Sequence, residues 1–266
     1  MIPIKDYAGP RRRLPWVTWG LIAVNVVVFL YQISLGANAQ EFIFAYSVVP
    51  VALTHGIPQT SLPGVPAHIP FHTPSPVYLT LITAMFLHAG WLHIGGNMLF
   101  LYIFGDNVED RMGHIPYLLF YLFCGALAAG AHLLTDWTSA TPTLGASGAI
   151  AGVLGAYLIM FPRRRVLTLI FFFIITWVYL PAVVVLGAWF ILQLYSGVGS
   201  IATNVSAGGG VAYFAHIGGF AFGALMALLF FPKEGFARRP PPTRPDLLRG
   251  RWPARRRFRS DEGWPA

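Results

Sequence analysis

Of the chain's 266 residues 56% are apolar and 11% charged, and its mean hydropathy is +0.61. A soluble domain needs far more charge to cover its surface, so lipid is the solvent for most of this protein. The formal charge of +8 would suit a nucleic-acid binder, but all 18 Lys and Arg fall in short clusters, and none lies in 14–110, 112–162 or 166–232. Clusters of this kind are orientation signals held on the cytoplasmic side, and the basic tail is read as one that also touches anionic lipid; no nucleic-acid partner is expected.

The first apolar run, about 16–35, follows Arg11 to Arg13. Ala37-Asn38-Ala39 resembles a signal-peptidase site, but the run is longer than a signal h-region and is read as a retained span. A proline-rich loop without Lys or Arg follows and should lie outside, partly at the membrane surface. Further spans are expected at about 91–104, 115–134, 147–161 and 210–231. The stretch 166–196 is uncharged and interrupted by Pro181; as one helix it would be roughly 46 Å long, more than one crossing needs. A single crossing there keeps every basic cluster on one side. The fifth span is therefore placed at about 180–195, with 166–179 as an interfacial or half-inserted lead. The expected fold is an all-α membrane protein of six transmembrane helices with both termini cytoplasmic. Its parts are a basic N-terminus over 1–15, a six-span domain over 16–232 and a basic, disordered tail over 233–266. Cys124 falls in an apolar run, excludes an internal disulfide and is read as a small packing residue.

Strongly polar groups inside a membrane are costly and usually mark function. Four stand out: His93 and Asn97 in the second span, Ser147 in the fourth and His216 in the sixth. With this topology all four arrive at a similar depth near the outer surface. A serine hydroxyl needs a base to take its proton, and His216 can supply one. Ser147 sits between Gly145 and Gly148, where small neighbours let a substrate backbone approach, and its own N–H lies at a helix N-terminus suited to an oxyanion. Asn97 and His93, one turn apart, supply the other donors. No Asp or Glu lies in the outer half of a span, so a Ser–His dyad is expected rather than a triad. Gly148/Gly152 and Gly219/Gly223 have the spacing that lets helix backbones approach closely. Glu109 and Arg111 are read as fixing the turn after the second span.

These elements resemble the rhomboid family of intramembrane serine proteases, in its bacterial six-span form. The nucleophile motif is Gly145-Ala146-Ser147-Gly148, and the general-base helix carries His216-Ile217-Gly218-Gly219 with Gly223 one turn on. His93 and Asn97 match the family's second-span element, preceded by His88, which is read as a loop anchor. The acidic turn Gly105 to Arg111 also matches. The resemblance covers about 80–232. It implies endopeptidase activity on transmembrane segments of other membrane proteins near the outer face, without metal or cofactor, in a bacterial inner (plasma) membrane. It implies catalytic roles for Ser147 and His216, oxyanion stabilisation by His93, Asn97 and the Ser147 N–H, and support from Gly145, Gly148 and Gly219. The family's Trp-Arg pair in the first loop has no counterpart; Leu79 and Thr80 stand there. The aromatic that some members place one turn after the nucleophile is Ala151 here, so another residue must orient His216. Two alternatives remain: a transporter or proton-pathway protein, which the absence of an inverted repeat and of a mid-membrane acid disfavours, and a catalytically silent member of the same fold, which should lack Ser147 or His216.

Overall fold

The computed structural model describes residues 1–7, 13–65, 69–171, 175–202 and 212–231. The expected tail over 233–266 lies outside them. Six principal helices follow the order read from the sequence: α1 Trp16–Ser34, α2 Trp91–Met112, α3 His114–Leu133, α4 Ser147–Met160, α5 Ala182–Ala202 and α6 Tyr213–Phe230. By length and composition α1, α3, α5 and α6 can each cross a membrane. The helical stretch Val77–Phe86 and α2 reach that length and hydropathy together, bent by 85° at the break between them.

The helices are turned inside out relative to those of a soluble protein. On α1 the buried residues are Thr18, Leu21, Asn25, Phe29 and Gln32, a stripe at three- and four-residue spacing, while Val24, Val27 and Leu30 face outward. Hydrocarbon outside favours an apolar exterior, and the polar groups must find partners inside. Asn25 donates to the Leu21 carbonyl, and Gln32 reaches the backbone of His88. At the centre stands α4, buried at every residue from Gly148 to Tyr157. Its 14 residues span about 21 Å, short of a hydrocarbon core of about 30 Å.

The α4 and α6 backbones touch. A Cβ on Gly219 would fall on the Gly148 carbonyl oxygen, and one on Gly223 on the Gly152 carbonyl oxygen. The spaced glycines thus bring the two helices to a separation that no larger residue permits.

Helix α1 has no side-chain cap of its own. Glu109 of α2, wholly buried, supplies one from outside: its carboxylate accepts from the backbone N–H groups of Val17 (2.9 Å) and Thr18 (2.8 Å) and from the Thr18 hydroxyl (2.6 Å). It also lies 2.6 Å from Nδ1 of His114, at the start of α3. The carboxylate satisfies orphan donors at the positive end of α1 and joins the first three helices. Glu109→Ala leaves those donors buried without a partner and lowers stability by about 1–3 kcal/mol. Thermal unfolding in detergent micelles measures this, and Glu109→Gln, which keeps one acceptor, falls between the two.

A three-stranded antiparallel sheet departs from the helical expectation. Its strands are β1 Ile2–Asp6, β2 Arg165–Phe171 and β3 Ile175–Pro181, in the order β1-β2-β3. Asp6 pairs with Val166 and Ile2 with Leu169, while Arg165 pairs with Pro181 across the hairpin. The lead into the fifth span is therefore a hairpin. Val, Thr, Ile, Phe, Trp and Tyr favour strands, and the N-terminal strand adds the third member that an isolated hairpin lacks. Ile175, Trp177 and Tyr179 share one outward face. The sheet lies at the end of α4 remote from Ser147, where the Asp6 carboxylate accepts from Asn107 Nδ2 and the Tyr157 hydroxyl, each at 2.8 Å. Arg164 stands 4.0 Å from the same carboxylate and donates to the Asn107 side-chain oxygen. This cluster fixes β1 to α2 and α4 and leads the chain into α5.

Candidate active site

The nucleophile position is built by the turn before α4. The Gly145 N–H donates to the Ala84 carbonyl at 2.8 Å, and its φ is +119°, a conformation that side chains other than glycine's disfavour. A Cβ there would lie 2.8 Å from Cε1 and Nε2 of His93 and 3.7 Å from Ser147 Oγ. Gly145 is thus required both by backbone conformation and by space. Ala146, at the N-cap, has no side chain with which to cap the first N–H groups of α4, which leaves them to a ligand.

His216, on the first turn of α6, places Nε2 2.7 Å from Ser147 Oγ. Its Nδ1 lies 2.9 Å from Oε1 of Gln193, on α5. An amide oxygen only accepts, so a hydrogen bond here requires the ring proton on Nδ1, the tautomer in which Nε2 turns its lone pair to the serine hydroxyl. The Trp189 ring lies beside the imidazole, 5.9 Å between centroids and inclined at 35°. Gln193 and Trp189, one helical turn apart on the same face of α5, occupy the role left open by Ala151. The sequence reading missed both; an amide inside an otherwise apolar span was the available signal.

His93 and Asn97 lie one turn apart on α2. The Ala89 N–H donates to His93 Nδ1 at 3.3 Å, so in the neutral ring Nε2 carries the proton, and Nε2 and Cε1 together border Gly145. Asn97 is 8% exposed, and its Nδ2 is buried with no protein partner. A buried amide donor left open in this way suits an acceptor that arrives with substrate. His88 is fully buried, edge-on to Phe29 and to His93. Its backbone is gripped by Gln32, which donates to the His88 carbonyl at 2.6 Å and accepts from its N–H at 3.3 Å. This is the geometry of a loop anchor. His132, given no role from sequence, lies in the last turn of α3, within electrostatic reach of His216.

Beside Ser147 a pocket is lined by Ala84, Met85, Gly125, Ala128, Gly145 and Gly148. Val48, Leu81, Thr143 and Leu144 complete its wall, and the small residues nearest Ser147 leave room for a compact group. Among the described residues no three His, Cys, Asp or Glu side chains converge in a way that could hold a metal ion. For a reaction that builds an oxyanion beside Ser147, Asn97→Ala removes the open donor and is expected to lower kcat about 10²- to 10³-fold with little change in KM; steady-state kinetics in liposomes tests it.

An apolar exterior, buried polar stripes and a serine hydroxyl 2.7 Å from a histidine nitrogen mark a polytopic membrane protein with a serine–histidine pair at one end of its central helix. Residues 76–233 match the Rhomboid domain, and the chain belongs to the rhomboid family. It is 30% identical over 152 residues to Rhomboid-like protein 11, chloroplastic, of Arabidopsis thaliana, covering 56% of this chain and 43% of that protein. To Rhomboid protein 1, mitochondrial, of Saccharomyces cerevisiae it is 31% identical over 154 residues, covering 55% and 40%. To Rhomboid protease GluP of Bacillus subtilis it is 31% identical over 145 residues, covering 54% and 24%. The chain thus spans less than half the length of these relatives. Their membranes are organellar as well as bacterial, so the family sets an integral, multi-pass membrane protein and not its compartment.

Proposed function

We propose that the protein is an intramembrane serine endopeptidase that cleaves transmembrane or membrane-proximal segments of other membrane proteins by a Ser147–His216 dyad. The 2.7 Å contact between His216 Nε2 and Ser147 Oγ carries this reading, because the proton fixed on Nδ1 leaves Nε2 free to act as base. His216 takes the Ser147 proton as Oγ attacks the substrate carbonyl carbon. The resulting oxyanion is met by the Ser147 N–H, His93 Nε2 and Asn97 Nδ2. Collapse breaks the C–N bond, with His216 protonating the leaving amine, and water hydrolyses the acyl-enzyme by the same base. Gly145, Gly148 and Gly219 support the site by allowing the close approaches described above.

A substrate helix hides its peptide bonds in its own hydrogen bonds, so cleavage requires local unwinding. Helix-breaking residues near the outer surface should favour it, and Gly125, Ala128 and Gly148 in the pocket beside Ser147 favour a compact residue before the cut bond. The short α4 supports a recessed Ser147, below the outer face of a six-span bundle with cytoplasmic termini. Confinement of the basic residues to a few clusters supports the cytoplasmic placement of both termini, and the membrane we propose is a bacterial plasma membrane. The partners are transmembrane proteins and lipid.

The test places the purified chain in liposomes with a single-span reporter bearing a helix-breaking pair near one end. The expected result is two fragments with a cut in the membrane-proximal segment, and a fluorophosphonate adduct on Ser147. An intact reporter with Ser147 unmodified would overturn the reading in favour of a silent member of the fold. Solute uptake undiminished by Ser147→Ala would overturn it in favour of transport.

A further inference from the structure

We infer that Gln193 is the positioning residue of the catalytic base, holding the His216 ring in the one neutral tautomer that can accept the Ser147 proton. The inference rests on the proteolytic reading above and deepens it.

His216 is 8% exposed, and its two ring nitrogens meet Ser147 Oγ on one side and Gln193 Oε1 on the other. The titratable side chains close enough to act on it electrostatically are His93 on α2 and His132 on α3, and its Nδ1 is met by Gln193 instead. A neutral imidazole has one proton to place. With an acceptor at Nδ1 the proton stays there, and Nε2 accepts from the serine. Without that acceptor nothing retains the proton at Nδ1, and a ring protonated on Nε2 donates to Oγ, the reverse of what a base must do. Soluble serine hydrolases solve this with a buried carboxylate. Inside a bilayer an isolated carboxylate is expensive, whereas an amide makes the same hydrogen bond without a charge to desolvate.

Gln193 does not act alone. Trp189, one turn earlier on α5, covers the imidazole and also packs near Phe220, one turn after His216 on α6. The amide thus controls which nitrogen carries the proton and the indole limits rotation of the ring. Both lie on α5 while the nucleophile lies on α4 and the base on α6. Base competence therefore depends on where α5 sits.

The experiment uses the full chain in liposomes, with ¹⁵N-labelled histidine and three variants: Gln193→Met, which keeps the shape without an oxygen acceptor, Gln193→Leu, and Gln193→Glu, which restores an acceptor. The wild type is expected to show the His216 ring nitrogens in the Nδ1-protonated pattern. Gln193→Met and Gln193→Leu are expected to lose that pattern and to lower kcat by about 10²- to 10⁴-fold, with KM within about threefold. Gln193→Glu is expected to recover both the pattern and most of kcat. A wild-type spectrum with the proton on Nε2, or a Gln193→Met variant with wild-type shifts and kcat, would overturn the inference. If Gln193→Leu fails to fold, Gln193→Met and Gln193→Glu decide it through the same readouts. Because the spectrum needs no turnover, a wild type that cleaves nothing refutes the proteolytic reading while the tautomer is still read.

Discussion

Ser147→Ala is expected to lower kcat for reporter cleavage by about 10⁴- to 10⁶-fold, His216→Ala to lower it by a similar factor, and the double variant to lose no more than either alone. A hydroxyl without its base and a base without its hydroxyl each leave the attack step unassisted, so the two losses overlap instead of adding. On the proposed mechanism the 2.7 Å Oγ–Nε2 contact couples the pair into one unit. Residual rate in all three variants comes from the oxyanion donors and from substrate positioning, which none of these substitutions removes. Time courses of reporter cleavage in liposomes at saturating substrate measure it. Losses that add on a logarithmic scale would mean that serine and histidine act in separate steps.

Gly219→Val and Gly223→Val are expected to destabilise the bundle by about 1–3 kcal/mol each and to reduce activity well beyond the fraction unfolded. Each added side chain would meet a carbonyl oxygen of α4 at Gly148 or Gly152, and a backbone cannot yield as a flexible side chain can. The helices must separate, and separation lengthens the contact between Ser147 and His216. Gly20→Val is the control, since a Cβ at Gly20 on α1 meets nothing within 4 Å. Thermal unfolding in micelles, paired with liposome cleavage of the folded fraction, separates the two effects. Full activity in a folded Gly223→Val variant would show that the close α4–α6 approach is dispensable to the site.

The sequence was most informative where physics makes a residue costly. Ser147, His216, His93 and Asn97 are polar groups in apolar runs, and the charge map alone put them at one depth. The spaced glycines were legible as packing devices, although the pairing of Gly219 with Gly148 and of Gly223 with Gly152 required coordinates. Gln193 was overlooked because an amide is a weaker anomaly than a histidine, and because its value depends on a partner 23 positions away. The cap at Glu109 was read only as a local turn. Its partners, Val17 and Thr18, lie more than 90 residues earlier, and no local pattern carries such a pairing. The sheet was hidden for a related reason. Its hairpin is apolar along nearly its whole length, so the alternation that marks a half-buried strand is absent, and its third strand is drawn from the first residues of the chain.

That third strand has a consequence for biogenesis. Asp6 pairs with Val166, so β1 leaves the ribosome and waits for a partner made some 160 residues later. At about 5–20 residues per second the delay is about 8–30 s, during which four of the principal helices are synthesised. Throughout that interval Ile2–Asp6 is an unpaired edge, and Asp6 lacks the Asn107, Tyr157 and Arg164 side chains that later surround it. Closure of the sheet can therefore come only after α4 is complete. It is a late seal on the bundle, set as the chain turns into the helix that carries Trp189 and Gln193.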